Sequence, residues 1–315
     1  MGPEGAPTQD GRKGREVTAK QAWQSGAVAE WERRGAYRTL HGWETFTMDI
    51  APSGSDEREP LLILHGFPTC SFDFRHVLPR LTANRRVLLL DMIGYGLSAK
   101  PDIAYTMNMQ ADVVQAFVAA TGISRFSMLT HDMGDTVGGE LLARHAEGGW
   151  PVDIVARVIT NGSIYIEMAH LSAGQELLLS LEDERLPETI ANDGSGMEAS
   201  LAATFSPHST VDEAELAAAW ELISHDGGHR LLPRTIRYIE ERRRSQARYT
   251  GAIESHPSPL AIVWGADDPI AVVDMAPRLH RARPDASLTI LNDVGHFPMV
   301  ESPRRFEEAV VQALG

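Results

Sequence analysis

Arg125-Phe126-Ser127-Met128-Leu129-Thr130-His131-Asp132-Met133-Gly134-Asp135-Thr136-Val137-Gly138-Gly139 is the stretch on which the fold turns. Phe126 to Leu129 is a short apolar run of a length that suits a buried strand. From Asp135 the chain reads as a helix despite its glycines. Thr130-His131-Asp132-Met133-Gly134 lies between them and has the small-x-nucleophile-x-small pattern of a nucleophile elbow. Small residues two before and two after are required because the turn is too tight for larger side chains. The turn lifts the Asp132 side chain above a sheet, over the N-terminus of the following helix. A carboxylate is electrostatically favoured there.

The rest of the chain sets that stretch in an alternating pattern. Tyr37 to Ile50 reads as one or two edge strands, Leu61 to Leu64 and Arg86 to Leu90 as buried strands, and Ser71 to Ala83 as a helix. Met107 to Thr121 carries Met109, Val113, Val114 and Phe117 at helical intervals, with Gly122 as a stop. Val155 to Ile159 is the next strand, closed by Asn161-Gly162. Strands resume at Leu260 to Trp264 and Leu288 to Leu291, and a last helix spans Arg304 to Leu314. The spacing predicts an α/β fold, a mostly parallel central sheet flanked by helices. Between Ile164 and Arg248 the pattern is almost wholly helical, which predicts an inserted helical cap over 164–248. The core is then 18–163 and 249–315, with a short helix within Thr18 to Arg34 and a flexible, Gly- and Pro-rich tail over 1–17.

Bulk properties narrow the partners. The 315 residues have a hydrophobic fraction of 43% and a formal net charge of −14. The first is ordinary for a globular protein; the second argues against nucleic acid and anionic membranes. Arg242-Arg243-Arg244 follows Glu240 and Glu241 and reads as a solvated helix face. Cys70 is the single cysteine, so no intrachain disulfide forms. No apolar run approaches the roughly 20 residues of a membrane span, and the N-terminus lacks the apolar stretch of a secretory signal. The expected setting is cytoplasmic, with a small, apolar molecule as partner. Oligomeric state stays open, a homodimer being compatible with the sequence.

Three further loops follow predicted parallel strands, at the sheet end where such folds place their sites. In His65-Gly66-Phe67-Pro68 the glycine lets the backbone turn, so the N–H groups of Phe67 and Met133 are candidates for an oxyanion hole. Trp264-Gly265-Ala266-Asp267-Asp268-Pro269 places a carboxylate just past a strand. Gly295-His296-Phe297-Pro298 places a histidine after the last one. The chain order is nucleophile, acid, histidine.

With these motifs, the chain from about Gly35 onward resembles the α/β-hydrolase superfamily in its aspartate-nucleophile branch. Epoxide hydrolases and haloalkane dehalogenases belong there, and the mesoderm-specific transcript proteins look closest. The matching stretches are His65-Gly66-Phe67-Pro68-Thr69, Asp91-x-x-Gly94-x-Gly96-x-Ser98, His131-Asp132-x-Gly134-Asp135 and Gly265-x-x-Asp268-Pro269. That last spacing makes Asp268 the acid, with Asp267 as the fallback.

A carboxylate with a pKa near 3.9 is ionised at neutral pH and needs no base to displace a leaving group at saturated carbon. The resemblance thus implies an ester on Asp132, hydrolysed by water that His296 activates while Asp268 orients the ring. No metal or organic cofactor is required. An epoxide also needs an acid, and resembling enzymes use cap tyrosines. Tyr238 matches the tyrosine of the second cap helix, with Tyr165 as its partner. His65, Trp220 and Tyr249 are expected in the substrate pocket. A halide needs N–H donors instead. Haloalkane dehalogenases usually have tryptophan after the nucleophile, and epoxide hydrolases often do, so Met133 departs from both patterns. The departure weighs more against a dehalogenase, where the tryptophan does chemistry and Trp220 could in principle substitute. The sequence therefore predicts an epoxide hydrolase. Its rivals are a haloalkane dehalogenase with the same triad and a ligand-binding or regulatory protein that keeps the shell without turnover. His131 is expected to be a hydrogen-bonding neighbour of the elbow, Asp135 a first-turn helix charge, and a metal site at His225 and His229 is discounted.

Overall fold

A computed structural model describes residues 22–55, 58–181, 194–210 and 212–315. The expected tail over 1–17 lies outside the described residues. The elements run α1 Gly26–Arg34, β1 Ala36–Leu40, β2 Trp43–Ile50, β3 Leu61–Leu64, α2 Leu78–Leu81, β4 Val87–Leu90, α3 Met107–Thr121, β5 Arg125–His131, α4 Met133–Ala146 and β6 Asp153–Thr160. There follow α5 Ala173–Ser180, α6 Ser195–Ala202, α7 Glu213–Ser224, α8 Leu232–Thr235 and α9 Tyr238–Ser255. The chain closes with β7 Leu260–Gly265, α10 Met275–Ala282, β8 Ser287–Leu291, α11 Pro298–Glu301 and α12 Pro303–Leu314.

Eight strands form one sheet in the order β1-β2-β4-β3-β5-β6-β7-β8. β1 and β2 form an antiparallel hairpin through His41 and Gly42, both at positive φ, as a two-residue turn that matches strand twist requires. β2 pairs antiparallel with β4, and every pair beyond is parallel. Parallel strands covered on both faces read as unbroken apolar runs. Leu61 to Leu64 and Val87 to Leu90 are accordingly buried at every position. This is the α/β-hydrolase architecture, and between β6 and β7 the described residues form helices and turns but no strand.

Two expectations differ in detail. Ser71 to Ala83 is not one helix but a 3-10 turn, Ser71–Phe74, followed by α2. The Ser71 N–H and hydroxyl both bond to buried Asp91, and Thr69 bonds to Asp73, so tertiary partners take the groups a helix would have used. Helix α9 runs unbroken through 248–249, with a local kink at Ser245, and packs along α4. No helix of the described residues is long and apolar enough to cross a membrane.

Candidate active site

β5 hands the chain to α4 through Asp132 alone, at φ 51° and ψ −114°. A non-glycine residue held there stores on the order of 1–3 kcal/mol of strain, which the surrounding packing must enforce. The packing leaves no alternative. A Cβ on Gly134 would stand 2.5 Å from the Leu64 carbonyl oxygen, and one on Gly66 would stand 2.7 Å from the Asp132 Cβ. The small residues of the elbow and of the β3 loop are thus the condition for their close approach. The Phe67 N–H donates to Asp132 Oδ2 at 2.8 Å. Met133 opens α4, and its N–H is one of the amides that an α-helix leaves unpaired at its start.

The loops after β7 and β8 bring the other two residues to the same end of the sheet. His296 Nδ1 lies 2.8 Å from Asp268 Oδ2, and its Nε2 lies 4.0 Å from Asp132 Oδ1. Burial pulls the imidazole pKa down, but Asp268, by charge and hydrogen bond, and Asp132 together lift it to about 9. Asp268 Oδ1 accepts the N–H groups of Ile270 and Ala271, which fixes the carboxylate. Asp267 instead accepts the Ser206 hydroxyl at 2.6 Å. Of the two carboxylates, Asp268 is the one that meets the histidine.

Tyr238, at the start of α9, is buried, and its hydroxyl lies 3.4 Å from Asp132 Oδ1. Burial and the adjacent Asp132 charge raise its pKa well above the usual phenol value. The other tyrosines are elsewhere. Tyr165 donates to Glu254 at 2.6 Å, with the Arg278 guanidinium over its ring, so it does not join Tyr238. Tyr249 donates to Glu241 at 2.7 Å, a residue two turns back on its own helix, and does not line the cavity described below. His65 is not a pocket residue either. It is fully buried, with Nδ1 at the Gly66 carbonyl and Nε2 accepting the Met92 N–H, and burial holds its pKa down. His131 is the hydrogen-bonding neighbour expected, Nε2 lying 2.8 Å from the His296 carbonyl oxygen.

A cavity of about 230 Å³ opens onto Asp132 and His296. Phe67, Phe297 and Ile270 wall it from the sheet side, and Leu177, Met197 and Trp220 from the helical segment. It contains the apolar surface and few convergent polar groups typical of a small-molecule site. Trp220 lines the cavity, and the Tyr238 hydroxyl meets it through Asp132, itself a lining residue. Among the described residues, one group of metal-ligand types stands together: His208, Asp267 and Asp293, two of them exposed, apart from the cavity lining.

Three residues of the site carry no motif. Asn161, just past β6, donates to Asp268 Oδ2 at 2.8 Å and accepts the Gly265 N–H. Its place after a parallel strand was a signal, though the sequence reading used it only to end that strand. Glu301 collects the N–H groups of Gly295, Phe297 and Ser206, bracing the His296 loop. Tyr95 donates to Met133 Sδ at 3.0 Å and pins the side chain after Asp132.

The alpha/beta hydrolase fold family matches residues 59–303. The chain is 36% identical to the protein named "Putative hydrolase LipZ" of Mycobacterium tuberculosis, over 92% of this chain and 99% of that protein. It is 31% identical to the mesoderm-specific transcript homolog protein of Bos taurus, over 90% of this chain and 87% of that one. A haloalkane dehalogenase of Agrobacterium fabrum is 38% identical over 88 residues, 28% of this chain and 29% of that protein.

Proposed function

The chain belongs to the α/β-hydrolase fold family, and from that membership we propose that it opens an epoxide to a diol through a covalent ester on Asp132. The observation that carries the reading is the Tyr238 hydroxyl 3.4 Å from Asp132 Oδ1, an oxygen that also faces His296. An oxygen leaving a carbon attacked by Oδ1 comes within reach of that hydroxyl. The ring C–O bond breaks as the Oδ1–C bond forms, and the ring oxygen takes the tyrosine proton. Alkylation removes the Asp132 charge, one of those that hold a proton on His296. The proton passes to the Tyr238 phenolate, and the free imidazole activates water. Water adds to the ester carbonyl, whose oxygen is already at the Phe67 N–H.

In this reading the helical segment is a cap, and its apolar side chains select a neutral substrate. A haloalkane dehalogenase is the second reading, favoured by the similarity to the Agrobacterium protein. Met133 weighs against it, because a thioether bonded to Tyr95 offers no N–H to a halide. The test is intact-protein mass spectrometry of His296→Gln with styrene oxide and with 1-bromobutane. A stable adduct of the epoxide, absent in Asp132→Ala, is expected. No adduct from either compound overturns the covalent route, and adduct from the bromide alone transfers the site to the second reading.

A further inference from the structure

Arg242 lies one turn beyond Tyr238 on α9. The sequence assigned it to a solvated run, and Arg243 and Arg244 are indeed exposed. Arg242 is 0% exposed. Its Nε donates to Thr136 Oγ1 at 2.7 Å, in the first turn of α4, and its buried Nη1 and Nη2 have no hydrogen-bond partner among the described residues. The two packed helices therefore make two rungs: Tyr238 on Asp132, then Arg242 on Thr136. A guanidinium does not shed its proton, and burying one costs several kcal/mol unless an anion compensates it. An apolar residue in its place is often neutral or stabilising, so stability alone gives no reason for it.

The acidic groups whose charge acts on it are the carboxyls of Asp135 and Asp132 and the phenols of Tyr238 and Tyr249. Asp135 is buried, accepts from Thr130 through Oδ1 and has its Oδ2 unpartnered among the described residues. Burial pushes its pKa up to about 8, against the opposing pull of Thr130 and Arg242. The remaining polar neighbours of Asp132 are the Phe67 N–H, Tyr238, His296 and, further off, the buried imidazoles of His65 and His131.

We propose that Arg242 is the fixed countercharge of the reaction, a positioning residue that touches no substrate. The inference rests on the Asp132 ester of the proposed function. At rest the negative charge is on Asp132. Ring opening moves it to the Tyr238 phenolate, and water addition returns it to the Asp132 carbonyl oxygen. Each position lies in the field of one buried cation that need not reorient, the condition under which electrostatic stabilisation is most effective.

The test compares Arg242→Met and Arg242→Lys, each in the His296→Gln background, with styrene oxide as probe and adduct formation followed in single turnover. Arg242→Met is expected to melt no lower than its parent yet to alkylate about tenfold or more slowly, below the roughly 10²–10³-fold cost of losing a direct donor. Arg242→Lys, which keeps the buried charge, recovers most of the rate. An unchanged rate in Arg242→Met overturns the role. So do equal losses in the Met and Lys variants, accompanied by lowered melting temperatures, since they signify packing. Should Arg242→Met not fold, the Lys variant decides by its rate: one near the parent's supports a charge role, and a large loss refutes it. Adduct in the parent with no effect of Arg242 leaves the ester standing; no adduct in the parent removes both.

Discussion

His296 Nε2 stands 4.0 Å from Asp132 Oδ1, at ion-pair range but beyond a hydrogen bond. The two groups interact by charge, and the charge is what alkylation would remove. An imidazole lifted to about 9 partly by Asp132 should therefore titrate lower when that carboxylate is neutralised. NMR titration of the His296 ring in wild type and Asp132→Asn measures this. The same value in both would show that Asp268 alone sets it. The sign for stability is also fixed. The folded pKa exceeds the unfolded value near 6.5, so the contribution is complete below about 6.5 and is lost as pH rises through about 9.

Tyr238→Phe removes a donor whose partner becomes negative only as the ring opens. The loss belongs to the transition state, so alkylation by styrene oxide should slow by roughly 10²-fold or more with little change in affinity. A departing bromide needs no proton, and any reaction with 1-bromobutane should be nearly unaffected. Epoxide alkylation at the wild-type rate would exclude Tyr238 as the acid.

Asp268→Asn offers an amide where His296 Nδ1 now meets an acceptor, which disturbs the ring's tautomer and orientation. Ester hydrolysis should fall roughly 10²–10⁴-fold, and adduct should accumulate. Asp267→Asn touches only the Ser206 contact and should stay within about tenfold of wild type. Reversed effects in steady-state kinetics would make Asp267 the acid.

Asp135 supplies a prediction for stability alone. Its folded pKa of about 8 lies above the unfolded value near 3.9. The folded state thus holds the proton longer, and stability declines between about pH 4 and pH 8 while staying level on either side. Asp135→Asn should abolish that decline, so its melting temperature gains on wild type from pH 4 to pH 8. A difference independent of pH would show that the carboxyl is ionised throughout.

The approach of Asp132, Asp268 and His296 was readable because each lies in the connection after a strand, so sequence position alone placed it at one end of the sheet. β3 and α3 have the boundaries their hydrophobic runs predict, for the same local reason. Tyr165, Tyr249 and Arg242 were not readable. Which face of a helix meets which neighbour depends on packing between distant segments. Three consecutive arginines after two glutamates give no local hint that one turns inward. His65 misled for a related reason: its motif marks the loop that approaches the nucleophile, but the ring faces down into the fold to hold the Met92 amide.

Helix α9 separates two mechanical duties. Its first turn carries the hydroxyl at Asp132, its length lies on α4, and just past its last turn the His256 carbonyl accepts from Arg157, a guanidinium buried in the sheet. The walls contributed by Leu177, Met197 and Trp220 are on helices before it. A displacement of those walls that leaves α4 and α9 packed widens the entrance without withdrawing Tyr238 from Asp132. The cavity wall and the hydroxyl at Asp132 are thus mounted on different parts of the frame.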